Sequence, residues 1–362
     1  MLSYRLERFA TPLIESHGET PVPQGREVLV QVGSCGVCHS DVHLADGYFD
    51  LGNGNRVSLA ASVAPPRTLG HEIAGTVVAL GPDATGVAVG DRCVVYPWIG
   101  CGRCALCVAG DEHLCGAARA IGVNVDGGYA DHVLVPDAKY LFDFAPLSEE
   151  QACTYACSGL TAYSALKKIA GGFSTAGHDA QLLIIGAGGV GLSGIRMAAQ
   201  MGLPAPIVAE VDRSKWDIAR AAGAADVIDP KADGTARALM KATGGGVLAA
   251  IDFVGAGETF AFGFGVLRKG GTLVSVGLFG GATSISPAMI AMKAVRLIGS
   301  YVGSPAEMHE LMTLAKTAGF PDLPLASAPL ADAERTLSAL RQGQIRGRAI
   351  LKPAHAAMTP PT

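Results

Sequence analysis

Leu182-Leu183-Ile184-Ile185-Gly186-Ala187-Gly188-Gly189-Val190-Gly191 is the stretch that decides the fold. Four apolar residues in succession are too few for a buried helix and read as a short strand covered on both faces. The spacing Gly186-x-Gly188-x-x-Gly191 then marks a tight turn, a point where backbone can approach a pyrophosphate, and a close contact between helix and sheet. The helix that follows, running to about Met201, points its first N–H groups, from Gly189 and Val190 onward, at the phosphates. The next strand, Ile207 to Glu210, ends on an acid 19 residues after Gly191. A carboxylate there hydrogen-bonds a ribose diol and repels a 2′-phosphate, so NAD is expected over NADP, with Arg213 as the one opposing feature.

Working outward from this stretch, strands and helices alternate. Helices are expected over Ser214 to Ala222, Ala232 to Ala242 and Glu258 to Leu267, and strands over Asp226 to Ile228, Val247 to Val254 and Gly271 to Val276. That alternation specifies a doubly wound parallel α/β sheet. Toward the C-terminus, helices Ala306 to Ala318 and Asp332 to Gln342 precede a strand, Arg348 to Leu351, and the Ala/Pro/Thr-rich tail from Pro353 to Thr362 is expected to fray. Before residue 155 the texture is all-β, with short alternating segments such as Glu27 to Val32, Ala74 to Leu80, Arg92 to Tyr96 and Ala130 to Val135, separated by turns such as Gly81-Pro82 and Gly127-Gly128.

Length and charge narrow the function. The 362 residues suggest two domains, and 49% hydrophobic residues suffice for two cores. A net charge of −4 offers no basic field for nucleic acid or an anionic membrane. No apolar run is long enough to span a bilayer, and Met1 to Ala10 has no signal core, so a cytoplasmic protein is expected. Nine cysteines, an odd number, favour metal and free thiols over disulfides. Four of them, Cys101, Cys104, Cys107 and Cys115, form a C-x2-C-x2-C-x7-C cluster that can close a tetrahedral structural zinc site in the polar lobe 100–116. Cys35, Cys93 and Cys153 read as small buried hydrophobes.

A second donor set is dispersed. Cys38-His39-Ser40-Asp41-Val42-His43, then Gly70-His71-Glu72, then Cys157 offer two thiolates and one imidazole for a single zinc, leaving one coordination position open for chemistry.

Taken in order, these motifs resemble the zinc-dependent alcohol dehydrogenases of the medium-chain dehydrogenase/reductase superfamily, and the resemblance runs to about Lys352. It implies a GroES-like, mostly β catalytic domain (1–156 and 301–362) interrupted by an NAD-binding Rossmann domain (157–300). It implies that Cys38, His71 and Cys157 bind the catalytic zinc, that Glu72 sits behind the metal or transiently enters its shell, and that Asp41 orients His71. Ser40 would take the substrate proton and His43 would pass it to solvent. His39 and Arg348 would contact the pyrophosphate, Thr161 the nicotinamide, and Lys215 would support Glu210 at the ribose. The implied reaction is reversible NAD-linked oxidation of an alcohol to an aldehyde or ketone by a homo-oligomer, a tetramer ahead of a dimer. A polyol or hydroxyacyl dehydrogenase of the same superfamily, a zinc-free enone or quinone-type reductase and a non-catalytic NAD-binding protein are the competing expectations.

One departure stands out. His71 follows Cys38 by 33 residues, about ten more than the resemblance leads one to expect. The excess, from Asp50 to Pro66, is expected to form a loop at the cleft mouth beside a substrate pocket of Tyr48, Phe49 and Trp98. A solvated surface excursion is the alternative, since long loops cost little.

Overall fold

The structure is a computed structural model that describes residues 1–176 and 180–354; the end of the tail expected to fray, from 355 onward, lies outside the described residues. The chain opens with β1 (Leu2–Leu6) and β2 (Ile14–His17), followed by the long strand β3 (Val28–Val37). Helix α1 (His39–Asp46) comes next, then the hairpin β4 (Tyr48–Gly52) and β5 (Asn55–Ser58), α2 (Ala60–Val63), β6 (Arg67–Thr68), β7 (Glu72–Leu80) and β8 (Arg92–Val95). The cysteine lobe carries α3 (Ala105–Val108); β9 (His132–Val135), β10 (Leu141–Asp143), α4 (Glu149–Cys153) and α5 (Ser158–Ala176) lead out of the β region. The α/β unit runs β11 (Leu182–Ile185), α6 (Gly189–Ala198), β12 (Ile207–Ala209), α7 (Trp216–Ala221), β13 (Asp226–Ile228), α8 (Thr235–Ala242), β14 (Val247–Asp252), α9 (Gly257–Gly265), β15 (Leu267–Ser275), α10 (Pro287–Lys293) and β16 (Arg296–Gly299). Helices α11 (Pro305–Thr317) and α12 (Ala333–Arg341) flank β17 (Leu325–Pro329), and β18 (Arg348–Lys352) closes the described chain.

Two sheets organise the molecule. Six strands in the order β13-β12-β11-β14-β15-β16 make the nucleotide-binding sheet, and every pair in it is parallel. Leu182 to Ile185 are buried throughout because helices cover both faces, as the unbroken apolar run requires. The mostly β half is a sheet in the order β10-β8-β7-β3-β18-β17, with β9 also paired to β3. Its last two strands come from the C-terminal segment: β18 returns antiparallel to β3, matching Ala349 to Val37. That return brings Arg348 next to the cleft between the sheets.

The β half, expected to be all-β, also contains α1. Asp41 accepts the Cys38 N–H at 3.0 Å, tying off the helix start, and Gly47 ends it in the left-handed region at φ +84. Residues 50–66, expected as a loop, instead form a hairpin and a short helix. Gly52 pairs with Asn55, so Asn53-Gly54 is a two-residue turn with both φ values positive (+53 and +79), the type I′ geometry that Asn-Gly favours.

One apolar core joins the halves: Val30 and Ile73 of the β sheet, Leu160 and Leu166 of α5, and Leu192 and Ile251 of the nucleotide-binding unit belong to the same cluster. A smaller core, with Leu183, Ile185, Leu239, Phe264 and Leu273, fills the other face of the parallel sheet. Among the described residues no helix is long and apolar enough to cross a membrane.

Candidate active site and metal centres

His71 sits between Gly70, whose φ is +89, and the start of β7; Cys38 ends β3's run into α1; Cys157 precedes α5. Three distant points of the chain thus place one ligand atom each within 4.8 Å of the others, all buried. Asp41 Oδ1 lies 3.0 Å from His71 Nδ1, and its Oδ2 accepts the Cys38 N–H at 3.0 Å and the Tyr129 hydroxyl at 2.9 Å. With a carboxylate at Nδ1, the proton resides there and the lone pair is left on Nε2. That Nε2 is buried and has no hydrogen-bond partner. An orphaned imidazole acceptor facing two cysteine sulfurs fits a divalent soft-ligand cation. The hydrogen bond between the two thiols holds Cys38 well below the usual thiol range and Cys157 well above it, so Cys38 is the readier thiolate donor.

Behind this set, Glu72 is fully buried, accepts the Ser158 N–H at 3.2 Å and forms an ion pair with Arg348. Burial pushes its carboxyl up to about 7, against the pull of the guanidinium. Arg348 reaches from there to the glycine loop. A Cβ on Gly189 would lie 2.4 Å from Arg348 Cδ, and Arg348 Nε is buried without a partner.

On α1, His39 and His43 face the same side, their rings 5.4 Å apart. His43 packs against Phe49 of β4 at 5.1 Å, and His39 lies 6.2 Å from Phe279. Burial lowers both imidazole pKa values, so both rings are neutral near pH 7. Ser40 is half-buried one residue along the helix. Trp98 lies 5.3 Å from His71, donates to the Ala156 carbonyl at 3.2 Å and meets Tyr301 edge-on at 5.9 Å. Tyr48 is turned toward Arg56, whose guanidinium sits 4.0 Å from the ring centre. Tyr129, Phe279 and Tyr301 had no sequence signal strong enough to single them out; only the Gly127-Gly128 turn pointed near Tyr129.

The glycine loop has the expected stereochemistry. Gly186 has φ +93, a Cβ on Gly191 would meet the Gly186 carbonyl at 1.9 Å, and the space beside Gly188 is open. Glu210 Oε2 accepts the Ala187 N–H at 2.7 Å and Oε1 that of Asp212 at 2.8 Å, which pins the carboxylate to the loop. Lys215, expected to support Glu210, has its ammonium 3.7 Å from Asp212, two residues beyond Glu210. Thr161 is buried at the end of the first turn of α5 and donates its N–H to the Cys157 carbonyl at 2.8 Å.

The cysteine lobe forms the second centre. Cys104 Sγ lies 3.5 Å from Cys107 Sγ and 3.8 Å from Cys115 Sγ, and Cys101 Sγ 4.0 Å from Cys107 Sγ. Backbone N–H groups of Arg103 and Cys104 bring the Cys101 thiol down to about 6, favouring the thiolate a metal needs. Glu112 ties the lobe to the body by accepting from Lys139 at 2.8 Å and Tyr140 at 2.5 Å. Four sulfurs and no open side suit a structural zinc.

Comparison with known proteins gives the family. The model for the alcohol dehydrogenase GroES-like domain matches residues 24–145, and that for zinc-binding dehydrogenases matches residues 189–317. The chain is 35% identical to the NAD-dependent alcohol dehydrogenase of Sulfurisphaera tokodaii, covering 98% of this chain and 100% of the relative. It is 33% identical to an alcohol dehydrogenase of Geobacillus stearothermophilus over 96% of this chain and 98% of the relative. The solved alcohol dehydrogenase of Aeropyrum pernix superposes with a TM-score of 0.86 at 30% identity, covering 98% of this chain and 100% of that one. Likeness over the whole length, joined to donor sets that suit zinc in both places, means that the chain belongs to the zinc-containing alcohol dehydrogenases of the medium-chain dehydrogenase/reductase superfamily.

Proposed function

We propose that the protein is an NAD-dependent zinc alcohol dehydrogenase, interconverting an alcohol and its aldehyde or ketone by hydride exchange with the nicotinamide. The observation that carries this is the buried Cys38/His71/Cys157 set with His71 Nε2 left free. Zinc held there supplies Lewis acidity, which lowers the pKa of a coordinated hydroxyl by about nine units, or ~12 kcal/mol. A zinc-free reductase has no use for such a set.

The chain's own residues do the rest. Asp41 fixes the His71 tautomer, and Glu72, paired with Arg348, balances charge behind the donors. Ser40 Oγ takes the substrate's proton, and neutral His43 carries it toward solvent under the Phe49 ring. The glycine loop, with Arg348 beside it, would hold the pyrophosphate, Glu210 would select the unphosphorylated ribose, and Thr161 would contact the nicotinamide. His39 completes the phosphate contacts. Trp98, Phe49 and Tyr301 give the substrate side an aromatic lining, which favours alcohols with an apolar body over polyols.

The protein acts as a homo-oligomer in this reading, a tetramer ahead of a dimer. Support comes from the edge strand β16, which leaves Leu297 exposed, and from the exposed Met289 and Met292 of α10. Nine free cysteines support a reducing, cytoplasmic setting.

The test is a panel of alcohols and carbonyls followed by NADH absorbance, with zinc counted on the same sample. We expect NAD-linked turnover and two zinc ions per chain; turnover surviving complete removal of zinc would sink the assignment.

A further inference from the structure

At the end of the parallel sheet remote from the glycine loop, a recess of about 310 Å³ opens beside α5. Its walls are Thr175 of α5, Thr272 of β15, and two arginines, Arg268 in the bulged start of β15 and Arg296 at the start of β16; Ile169 and Leu248 form an apolar floor. Strand register explains why they converge: Thr272 pairs with Ala249 on one side and with Arg296 on the other. Among the described residues, neither guanidinium has a hydrogen bond or an ion pair. Other arginines of the chain find a carboxylate, as Arg67 does at Asp126 and Arg341 at Asp46, or an aromatic ring, as Arg56 does at Tyr48 and Arg92 at Phe144. Two like charges lining one recess repel each other, and no acid among the lining residues offsets them.

Guanidinium groups present paired N–H donors that match the oxygens of a phosphate, and the Thr272 hydroxyl can add a donor from the wall, whereas Thr175 already gives its hydroxyl proton to the Gly172 carbonyl at 3.3 Å. The carbonyl end of α5 also faces this side and opposes an anion, but a helix end carries only about half a charge against two full positive ones. The volume exceeds what a bare phosphate needs. A water's share of liquid volume is about 30 Å³, so the recess has room for a small organic group on the Ile169/Leu248 floor.

We propose that this recess is a second, non-catalytic anion site that takes a phosphate-bearing small molecule between Arg268 and Arg296. A ligand that binds only the folded chain stabilises it by mass action, so occupancy can be read from thermal unfolding. The zinc-loaded, full-length protein is melted in phosphate-free buffer at constant ionic strength, with inorganic phosphate or glycerol 3-phosphate titrated in. The titrations are run with the coenzyme site saturated by NADH, so that the glycine loop is already filled.

A saturable rise in melting temperature is expected, with the apparent Kd raised at least tenfold in Arg268→Gln and in Arg296→Gln. Alcohol oxidation without phosphate should stay unchanged in both. Arg268→Lys keeps the charge without the paired donors and should weaken binding less than Arg268→Gln. A larger shift for glycerol 3-phosphate would assign an organic phosphate, and equal shifts would assign inorganic phosphate. Absence of any shift under saturating NADH, or a shift of wild-type size in both glutamine variants, would overturn the proposal; the arginines would then serve only the carbonyl end of α5.

Discussion

His71 acts through the atom that Asp41 leaves free. Because Asp41 takes Nδ1 at 3.0 Å, only Nε2 can reach a metal, and the tautomer is settled before any ion arrives. His71→Ala and Cys38→Ala should therefore lower alcohol oxidation by at least a thousandfold while NADH still binds, measured by turnover and by coenzyme fluorescence. Loss of both together would mean that the substitution had unfolded the cleft. His43 makes a different claim. Burial and the neighbouring His39 lower its pKa, so it stays neutral, and able to accept a proton, into the region below the ordinary histidine value near 6.5. It becomes charged and useless as an acceptor only as pH falls through that lowered pKa. His43→Gln should slow oxidation about tenfold at pH 6, where hydroxide is scarce, with the gap narrowing above pH 8 and added imidazole restoring the rate. Parallel pH profiles in the two proteins would remove His43 from the proton path.

At the level of elements, the hairpin β4–β5 is the part of this chain that changes the cleft. Its tip presses on a ribbon of the coenzyme half: a Cβ on Gly52 would lie 2.3 Å from the Ala282 nitrogen, and one on Gly280 2.6 Å from the Asp50 carbonyl. Gly280→Val should therefore cost about 2–4 kcal/mol, combining a left-handed φ of +105 with a clash against backbone. Gly54→Ala, also at positive φ but with open space around it, should cost only ~1 kcal/mol. Calorimetry decides; equal losses would show that the two halves do not bear on each other there. This hairpin was legible in principle, since Asn53-Gly54 is a strong turn signal, but Gly52 and Gly54 broke the alternation on either side and the stretch read as loop. Helix α5 escaped for another reason. It is buried nearly all round over its first half, so no polar face marks its period, and Gly159, Gly171 and Gly172 look like turns. The glycine loop and the cysteine lobe were readable because their chemistry is local in sequence. Tyr301 and Phe279 were not, because they reach the cleft only through tertiary packing.

For the whole molecule, the question is whether the two halves are one folding unit or two. Sequence texture divides the chain near residues 155 and 300, yet the main apolar core crosses that division through α5, whose Leu160 and Leu166 are fully buried among residues of both sheets. A shared core has to be broken before either half can unfold alone, which exposes apolar surface at roughly 25 cal/mol per Å². The chain carries its own reporters, because it has two tryptophans, one on each side: Trp98 beside His71 and Trp216 beside Glu210. Both pack against the same core. Trp98→Phe and Trp216→Phe leave one reporter each, and their fluorescence can be followed in guanidinium chloride at fixed protein and zinc concentrations. A continuous core predicts that each variant's tryptophan signal and its far-ultraviolet circular dichroism fall at the same denaturant midpoint. Separate midpoints, with the Trp216 signal surviving after Trp98 is lost, would mean that the coenzyme half holds together without α5's other partners and that the cleft opens by partial unfolding.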